Sequence, residues 1–385
     1  MLCVARCVAR RPSRMSQRPP ARPGDPIDAI ETPALVLDLD AFDANLQAMA
    51  GATRDAAVRL RPHAKSHKCP DIAKRQLALG AVGVCCQKTD EALAFIEAGV
   101  RDVLVTNEVV GPAKLARLAA AAAVARIGVL ADAELGVRLA AEAAAQAGTS
   151  LDLYVEVDVG AHRCGVAPEA AAALAQSIAA HASLRFAGLH CYHGGAQHLR
   201  SDAEREAAIA AASAVARRAR DDVRARGLDC PVVTGAGTGT FVHERDSGVW
   251  NELQPGSYVF MDADYGRNVP GGRDVRFAQA LFVLASVMSV PAADRAICDA
   301  GLKAFSLDSG LPVVHERAGL QYTKASDEHG VLGVDRDARR VDLGERLLIV
   351  PGHCDPTVNL YDWIVGLRQA RVECVWPIAA RGALA

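Results

Sequence analysis

Aromatic residues make up only 4% of the 385-residue chain. No uninterrupted apolar run approaches the ~18 residues that a membrane-spanning helix needs. Neither sign of charge is in large excess, with a formal net charge of −2. That balance gives no general electrostatic case for nucleic acid or for an anionic membrane. The 11 cysteines include no C-x-x-C pair, and their number is odd and their spacing irregular. A disulfide framework and a structural zinc site are both disfavoured, and reduced thiols in a cytoplasmic protein are expected. What the chain does have is bulk: 51% hydrophobic and 23% charged residues supply a large core and rule out global disorder. At roughly 100–200 residues per domain, the length suits two domains or one large barrel with an appendage.

Residues 1–26 differ from the rest. They carry Arg6, Arg10, Arg11, Arg14, Arg18 and Arg22, with no acid before Asp25. Pro12, Pro19, Pro20, Pro23 and Pro26 spoil the amphipathic helix of a mitochondrial transit peptide. An unpacked tail is expected, or a start assigned too early with Met15 as the true one. From Thr32 on, short apolar runs alternate with helical patterns. The runs include 34–39, 57–60, 81–86, 102–106, 125–130, 151–157, 184–192, 230–234 and 257–260. The helical patterns include 89–98, 112–123, 133–147, 167–181 and 202–226. Repeated βα units predict an α/β fold with a parallel sheet, and about eight of them suit a (β/α)8 TIM-type barrel over residues 27–270. An open doubly wound sheet is the alternative. Beyond residue 270, the runs 279–290, 295–298, 312–315, 346–350 and 370–377 predict a mostly β C-terminal domain over 271–385.

Four stretches carry chemistry. In RLRPHAKSHK (59–68), strand alternation would point Arg59, Arg61, His63 and Lys65 one way, with Lys65 at the carboxyl end where a barrel builds its active site. A lysine crowded by cations and desolvated has a lowered pKa and is a usable amine nucleophile. A solvated basic edge explains the charges as well, and Pro62 argues against a regular strand. GAGTGT (235–240) resembles a phosphate cradle before a possible helix at 241–246, although a tight βα turn accounts for it equally. In PGHCDPTVN (351–359), an extended segment would let His353 and Asp355 converge on one divalent cation while Cys354 faces away. A turn with an Asx hydrogen bond is the alternative. HCYHGGAQH (190–198) reads as a pocket wall, and Arg163 follows the 151–157 run in the same way. A lysine, phosphate-type amides, an arginine and a metal pair at strand ends suggest pyridoxal 5′-phosphate, PLP.

ETPALVLDLDAFDAN, RPHAKSHK, CQKTDEA, VDVGAHRCG, LHCYHGG, GAGTGT and PGHCDPTVNLYD occur in that order. Together they resemble the D-threonine aldolase and D-serine dehydratase-like family, which shares the alanine racemase-type PLP barrel. The resemblance spans roughly residues 30–375. It implies a homodimer whose first strand, near 32–38, joins the β domain. It implies Lys65 as the Schiff-base lysine, Arg163 at the PLP phenolic oxygen, and Tyr192 with Gln87 near the pyridine nitrogen. Thr238, Gly239, Thr240, Gly256, Ser257 and Tyr258 would hold the phosphate. His353 and Asp355 would bind Mn²⁺, Mg²⁺, Co²⁺ or Zn²⁺, and His193 would be the acid/base at the substrate hydroxyl. Aldolase-like members tend to show His-x-Asp at the metal and dehydratase-like members His-x-Cys; this chain has His353-Cys354-Asp355. The resemblance therefore implies cleavage of D-β-hydroxy amino acids to glycine and an aldehyde. The alternatives are a D-serine or D-threo-3-hydroxyaspartate dehydratase, a non-catalytic PLP-binding barrel, and a racemase with Tyr322 as its second acid/base.

Overall fold

In a computed structural model describing residues 18–273 and 275–385, the first strand, β1 (Ala34–Asp38), leaves the barrel to the strands that follow it. These are β2 (Arg59–Leu60), β3 (Val84–Cys86), β4 (Asp102–Glu108), β5 (Arg126–Ala131), β6 (Leu151–Glu156), β7 (Leu184–Cys191), β8 (Val233–Gly235) and β9 (Glu252–Leu253). All pair in parallel in the order β2-β9-β8-β7-β6-β5-β4-β3. The ring closes where His63 bridges Cys85 and the Cys85 N–H donates to Pro62 O at 2.9 Å. The α/β fold is thus a TIM-type barrel followed by a mostly β C-terminal unit. The last barrel strand differs from the expectation. Apolar 257–260 is a 3₁₀ turn, and the strand is the two-residue β9, whose charged Glu252 gave no strand signal.

Alternation along each strand stacks the interior in layers. Cys85, Leu104, Leu130, Tyr154, Ala187 and Val232 form a separate apolar layer inside the ring. Two residues before Leu104 and Tyr154 stand Asp102 and Asp152; two residues after them stand Thr106 and Glu156. One layer of charges therefore lies below the apolar plug and another above it. The lower layer is paired. Arg61 donates to Glu252 Oε1 (3.0 Å) and Asp102 Oδ1 (2.5 Å), and Arg126 donates to Asp152 Oδ2 (2.7 Å). Helices with small apolar faces, such as Glu134–Ala147 and Pro168–Ala180, cover the outside.

The second sheet comprises β10 (Leu281–Ala292), β11 (Arg295–Cys298), β12 (Val313–Val314), β13 (Leu320–Ala325), β14 (Gly330–Val334), β15 (Arg346–Val350), β16 (Trp363–Arg368) and β17 (Arg371–Pro377), together with β1. β1 lies between β10, antiparallel, and β16, parallel. The sequence reading passes over β13, β14 and β16. Part of the expected tail is also packed. The Gly24 N–H donates to Val372 O at 2.8 Å, Pro26 bridges Arg371, and Ala21 is buried. Backbone pairing along β17 orders this stretch without needing a helix. The rest of the expected tail, residues 1–17, and Met15 with it, lies outside the described residues.

Candidate active site

At the carboxyl end of the barrel a cavity of about 260 Å³ is lined by Lys65, Gln87, Arg163, Tyr192, Thr238, Gly256 and Ser257 among the expected residues. His63, Thr106, His190, His198, Gln254 and Tyr265 complete much of the wall. Lys65 is not on a strand: β2 stops at Leu60, and Pro62 is followed by the 3₁₀ turn Ala64–Ser66. His63 Nδ1 accepts from the Lys65 N–H at 3.3 Å and its Nε2 reaches Thr106 Oγ1 at 2.9 Å. Burial and then the Lys65 charge push the His63 pKa well down, so the ring is neutral with its proton on Nε2.

Lys65 departs from the expected lowered pKa. Burial does disfavour its ammonium, but the Asp355 carboxylate against Nζ overrides this and the net direction is upward. Asp355 is correspondingly held far below the usual carboxylate range: burial opposes its charge, and Lys65 and His353 together outweigh burial. The Asp355 contact also joins the metal motif of the β unit to the barrel, and Ser257 Oγ adds a 3.3 Å bond to Oδ1.

The metal motif has a different local shape from the expected extended segment. His353 is the N-cap of a short helix, Cys354–Val358, so two-residue alternation does not orient the pair. Asp262 fixes that helix, accepting from the Cys354 N–H at 2.8 Å and from the Tyr265 N–H at 2.9 Å. His353 Nδ1 is taken by Asp308 Oδ2 at 2.7 Å. Such a carboxylate behind an imidazole fixes the tautomer and leaves Nε2 to face a cation. With a permanently anionic Asp355 oxygen beside it, the donor set fits a divalent ion. The Cys354 thiol, raised by burial, stays protonated and supplies no thiolate. Among the described residues no group of three or more His, Cys, Asp or Glu is arranged to hold a metal, so the pair needs water or substrate to complete a coordination shell.

Three of the expected phosphate residues turn elsewhere. The Thr240 hydroxyl is fully buried, donating to Glu244 Oε1 and accepting from Gln197 Nε2. The Gly239 N–H donates to Gln197 Oε1 at 2.9 Å, and Gly239 lines a neighbouring apolar cavity. The Tyr258 hydroxyl bonds Gln76, and its N–H is spent on Thr238 Oγ1. That leaves Ser66, Gly237, Thr238, Gly256 and Ser257 on the cavity wall. A Cβ on Gly256 would stand 2.6 Å from Ser66 Oγ and 2.7 Å from His63 O, so close approach demands glycine there. Cavity size, the lysine, these hydroxyls and the buried polar wall fit PLP.

His193 is not on the cavity. Its ring packs against Gly160, and Nδ1 is buried without a hydrogen-bond partner. Five residues on, His198 does line the cavity, with Nδ1 held by Asp264 Oδ2 at 2.5 Å. Asp264 is anchored in turn by Arg200 at 2.6 Å and by Arg267, and its pKa is about 2: burial opposes the charge and the arginines prevail. The 3₁₀ turn Gly194–His198 decides which histidine faces inward. Tyr322 is buried in the β unit with its hydroxyl on Ala300 O at 2.8 Å, which removes it as a second acid/base.

A TIM-type barrel with a lysine at its carboxyl end, followed by a mostly β unit, defines a class, the alanine racemase-like proteins. Residues 37–264 match the family model described as "Alanine racemase, N-terminal domain", and 280–367 match "Putative serine dehydratase domain". The chain is 50% identical to a D-threonine aldolase of Arthrobacter sp, covering 94% of this chain and 96% of that one. It is 47% identical to a 3-hydroxy-D-aspartate aldolase of Paracoccus denitrificans (strain Pd 1222), over 94% and 95% of the two chains. The crystal structure of D-threonine aldolase from Filomicrobium marinum superposes with a TM-score of 0.94 at 51% identity, covering 95% of this chain and 100% of that one. The chain belongs to the D-threonine aldolase and D-serine dehydratase-like family.

Proposed function

We propose that the protein is a PLP- and divalent-metal-dependent aldolase that cleaves D-β-hydroxy amino acids to glycine and an aldehyde. The observation that supports this reading is the contact of Lys65, which we read as the cofactor lysine, with Asp355, which we read as a ligand of the ion. When bound, PLP supplies an electron sink for the pair released from the Cα–Cβ bond, and the ion acidifies the β-hydroxyl. The chain's own residues do the rest. Lys65 anchors the cofactor, while Ser66, Thr238, Gly256 and Ser257 hold its phosphate. Arg163 and Tyr192 fix its ring, with Gln87 behind them. His353, backed by Asp308, and Asp355 hold the cation. His198 replaces His193 as acid/base: it takes the proton from the β-hydroxyl, and Asp264 keeps its ring aimed and stabilises the charge it gains. Tyr192 and Tyr265 add aromatic surface to the cavity wall and would help exclude water from it.

The nine described cysteines are all unpaired, which supports a reducing, cytoplasmic setting. No described helix is long and apolar enough to cross a membrane. Exposed Met288, Leu302, Leu311 and Val313 on the β unit support a homodimer. Incubation with D-threonine tests the reaction: glycine and acetaldehyde are expected, and 2-oxobutyrate with ammonia would establish the dehydratase instead. Chelation should stop turnover and Mn²⁺, Co²⁺ or Mg²⁺ restore it.

A further inference from the structure

One group of buried polar atoms has no part in that scheme. Glu156, the last residue of β6, is 4% exposed. Its Oε1 lies 3.5 Å from the Arg163 guanidinium and its Oε2 lies 3.7 Å from His190 Nδ1. Neither Oε2 nor that Nδ1 has a hydrogen-bond partner among the described residues, although both are buried. Glu108, the last residue of β4, brings a second carboxyl beside it, and its Oε1 is likewise buried without a partner. Asp132, just past β5, accepts from the Gly165 N–H at 3.2 Å.

Arg163 rides on a loop whose base is rigid. The Asp158 N–H donates to Val166 O, and the Val166 N–H donates back to Glu156 O. A Cβ on Gly165 would meet the Asp158 nitrogen at 2.6 Å, so the loop can close only with glycine there. The arginine side chain itself is about half exposed, and its guanidinium stands 5.7 Å over the Tyr192 ring at the cavity wall. Glu156 is the one acid in ion-pair range of it among the described residues.

We infer that Glu156, backed by Glu108, is a positioning residue that aims Arg163 into the cavity, and that it acts on the cofactor only through that arginine. The inference rests on the reading of the cavity as a PLP site. A long guanidinium on a half-exposed loop has many rotamers, and a buried carboxylate behind it selects one. Glu156 approaches the lining residues Arg163 and His190 without lining the cavity itself, so it can act on the cofactor only through them.

A double-mutant cycle on cofactor affinity tests this. The full chain, stripped of PLP, is titrated with PLP by absorbance, as wild type, Glu156→Gln, Arg163→Ala and the double variant. Glu156→Gln should weaken PLP binding about tenfold in the wild-type background and less than about twofold in Arg163→Ala. Equal losses in both backgrounds, or none in either, would overturn the inference, because a merely structural role is indifferent to Arg163. Should Glu156→Gln fail to fold, Glu108→Gln is run through the same cycle, with about a threefold loss that vanishes in Arg163→Ala. Wild-type protein that takes up no PLP overturns the reading of the site, and the inference with it; uptake with additive losses overturns the inference alone.

Discussion

At the amino-terminal end of the barrel, Arg61 meets Glu252 and Asp102, while Arg126 and Arg185 meet Asp152. At the carboxyl end, Glu156, Glu108 and His190 each keep a buried polar atom without a partner among the described residues. The same strands build both layers, with Asp152 and Glu156 only four residues apart on β6. One layer satisfies its charges within the chain; the other leaves polar atoms unsatisfied behind residues that line a cavity. Burial alone therefore does not mark function here, since Arg61 is as deeply buried as Glu156. Several unsatisfied polar atoms gathered at strand ends beside a cavity do. A buried pair left whole is close to neutral for stability, whereas removing one partner costs much. An unfinished constellation at strand ends is where chemistry is expected.

The contrast makes predictions of graded size. Lys65→Ala should fold with a nearly unchanged melting temperature yet lose about 10⁴-fold or more in turnover. Borohydride reduction and peptide mapping of the wild type should label Lys65, and a label on Lys68 or Lys88 would reassign the anchor. Glu252→Gln should do the reverse. It leaves Arg61 short of one counter-charge and should cost about 3–5 kcal/mol of stability, while the turnover of the folded fraction is retained. A stable Glu252→Gln protein with lost activity would erase the distinction between the two ends.

A smaller effect separates the two histidines. His198→Asn should lower kcat about 100-fold or more, and His193→Asn less than about threefold. The opposite ranking would return the acid/base role to His193. A last effect concerns Glu244, held by the Thr240 hydroxyl and in no ion pair among the described residues, whose pKa burial pushes up to about 8. The folded chain keeps this proton after the unfolded chain has released it, so stability falls as pH rises from the ordinary glutamate range to about 8. Thermal melts at about pH 5 and about pH 8 should show a steeper decline for wild type than for Glu244→Gln, and parallel declines would mean that Glu244 is ionised in the fold.

Much of this arrangement was readable in the residues. The barrel strands carry apolar runs because both faces are covered. Lys65, Arg163 and Tyr192 reach the cavity wall and Asp355 meets Lys65, and each belongs to a distinctive stretch of the sequence. What escaped depends on contacts distant in the chain. β9 is two residues with a charge in the first, whereas 257–260 is apolar and turns at Gly256. His193 and His198 share one nine-residue stretch, and only the 3₁₀ turn tells them apart. Asp262, Asp264 and Asp308 stand in loops with no pattern, and their roles come from partners 45 to 92 positions away. The raised Lys65 pKa needed Asp355 in place, 290 positions downstream.

The placement of β1 between β10 and β16 bears on how the polypeptide is made. A segment whose first four residues, Ala34 to Leu37, are all buried leaves the ribosome before any barrel strand. Its first partner strand follows only after the whole barrel has been synthesised. At about 5–20 residues per second, that delay is on the order of tens of seconds. During this interval an apolar strand with open edges is available to any other nascent chain. Newly made protein should accordingly depend on a chaperone holding the first forty or so residues, and ribosome-bound chains halted before β10 should aggregate on release while chains halted after β17 should not.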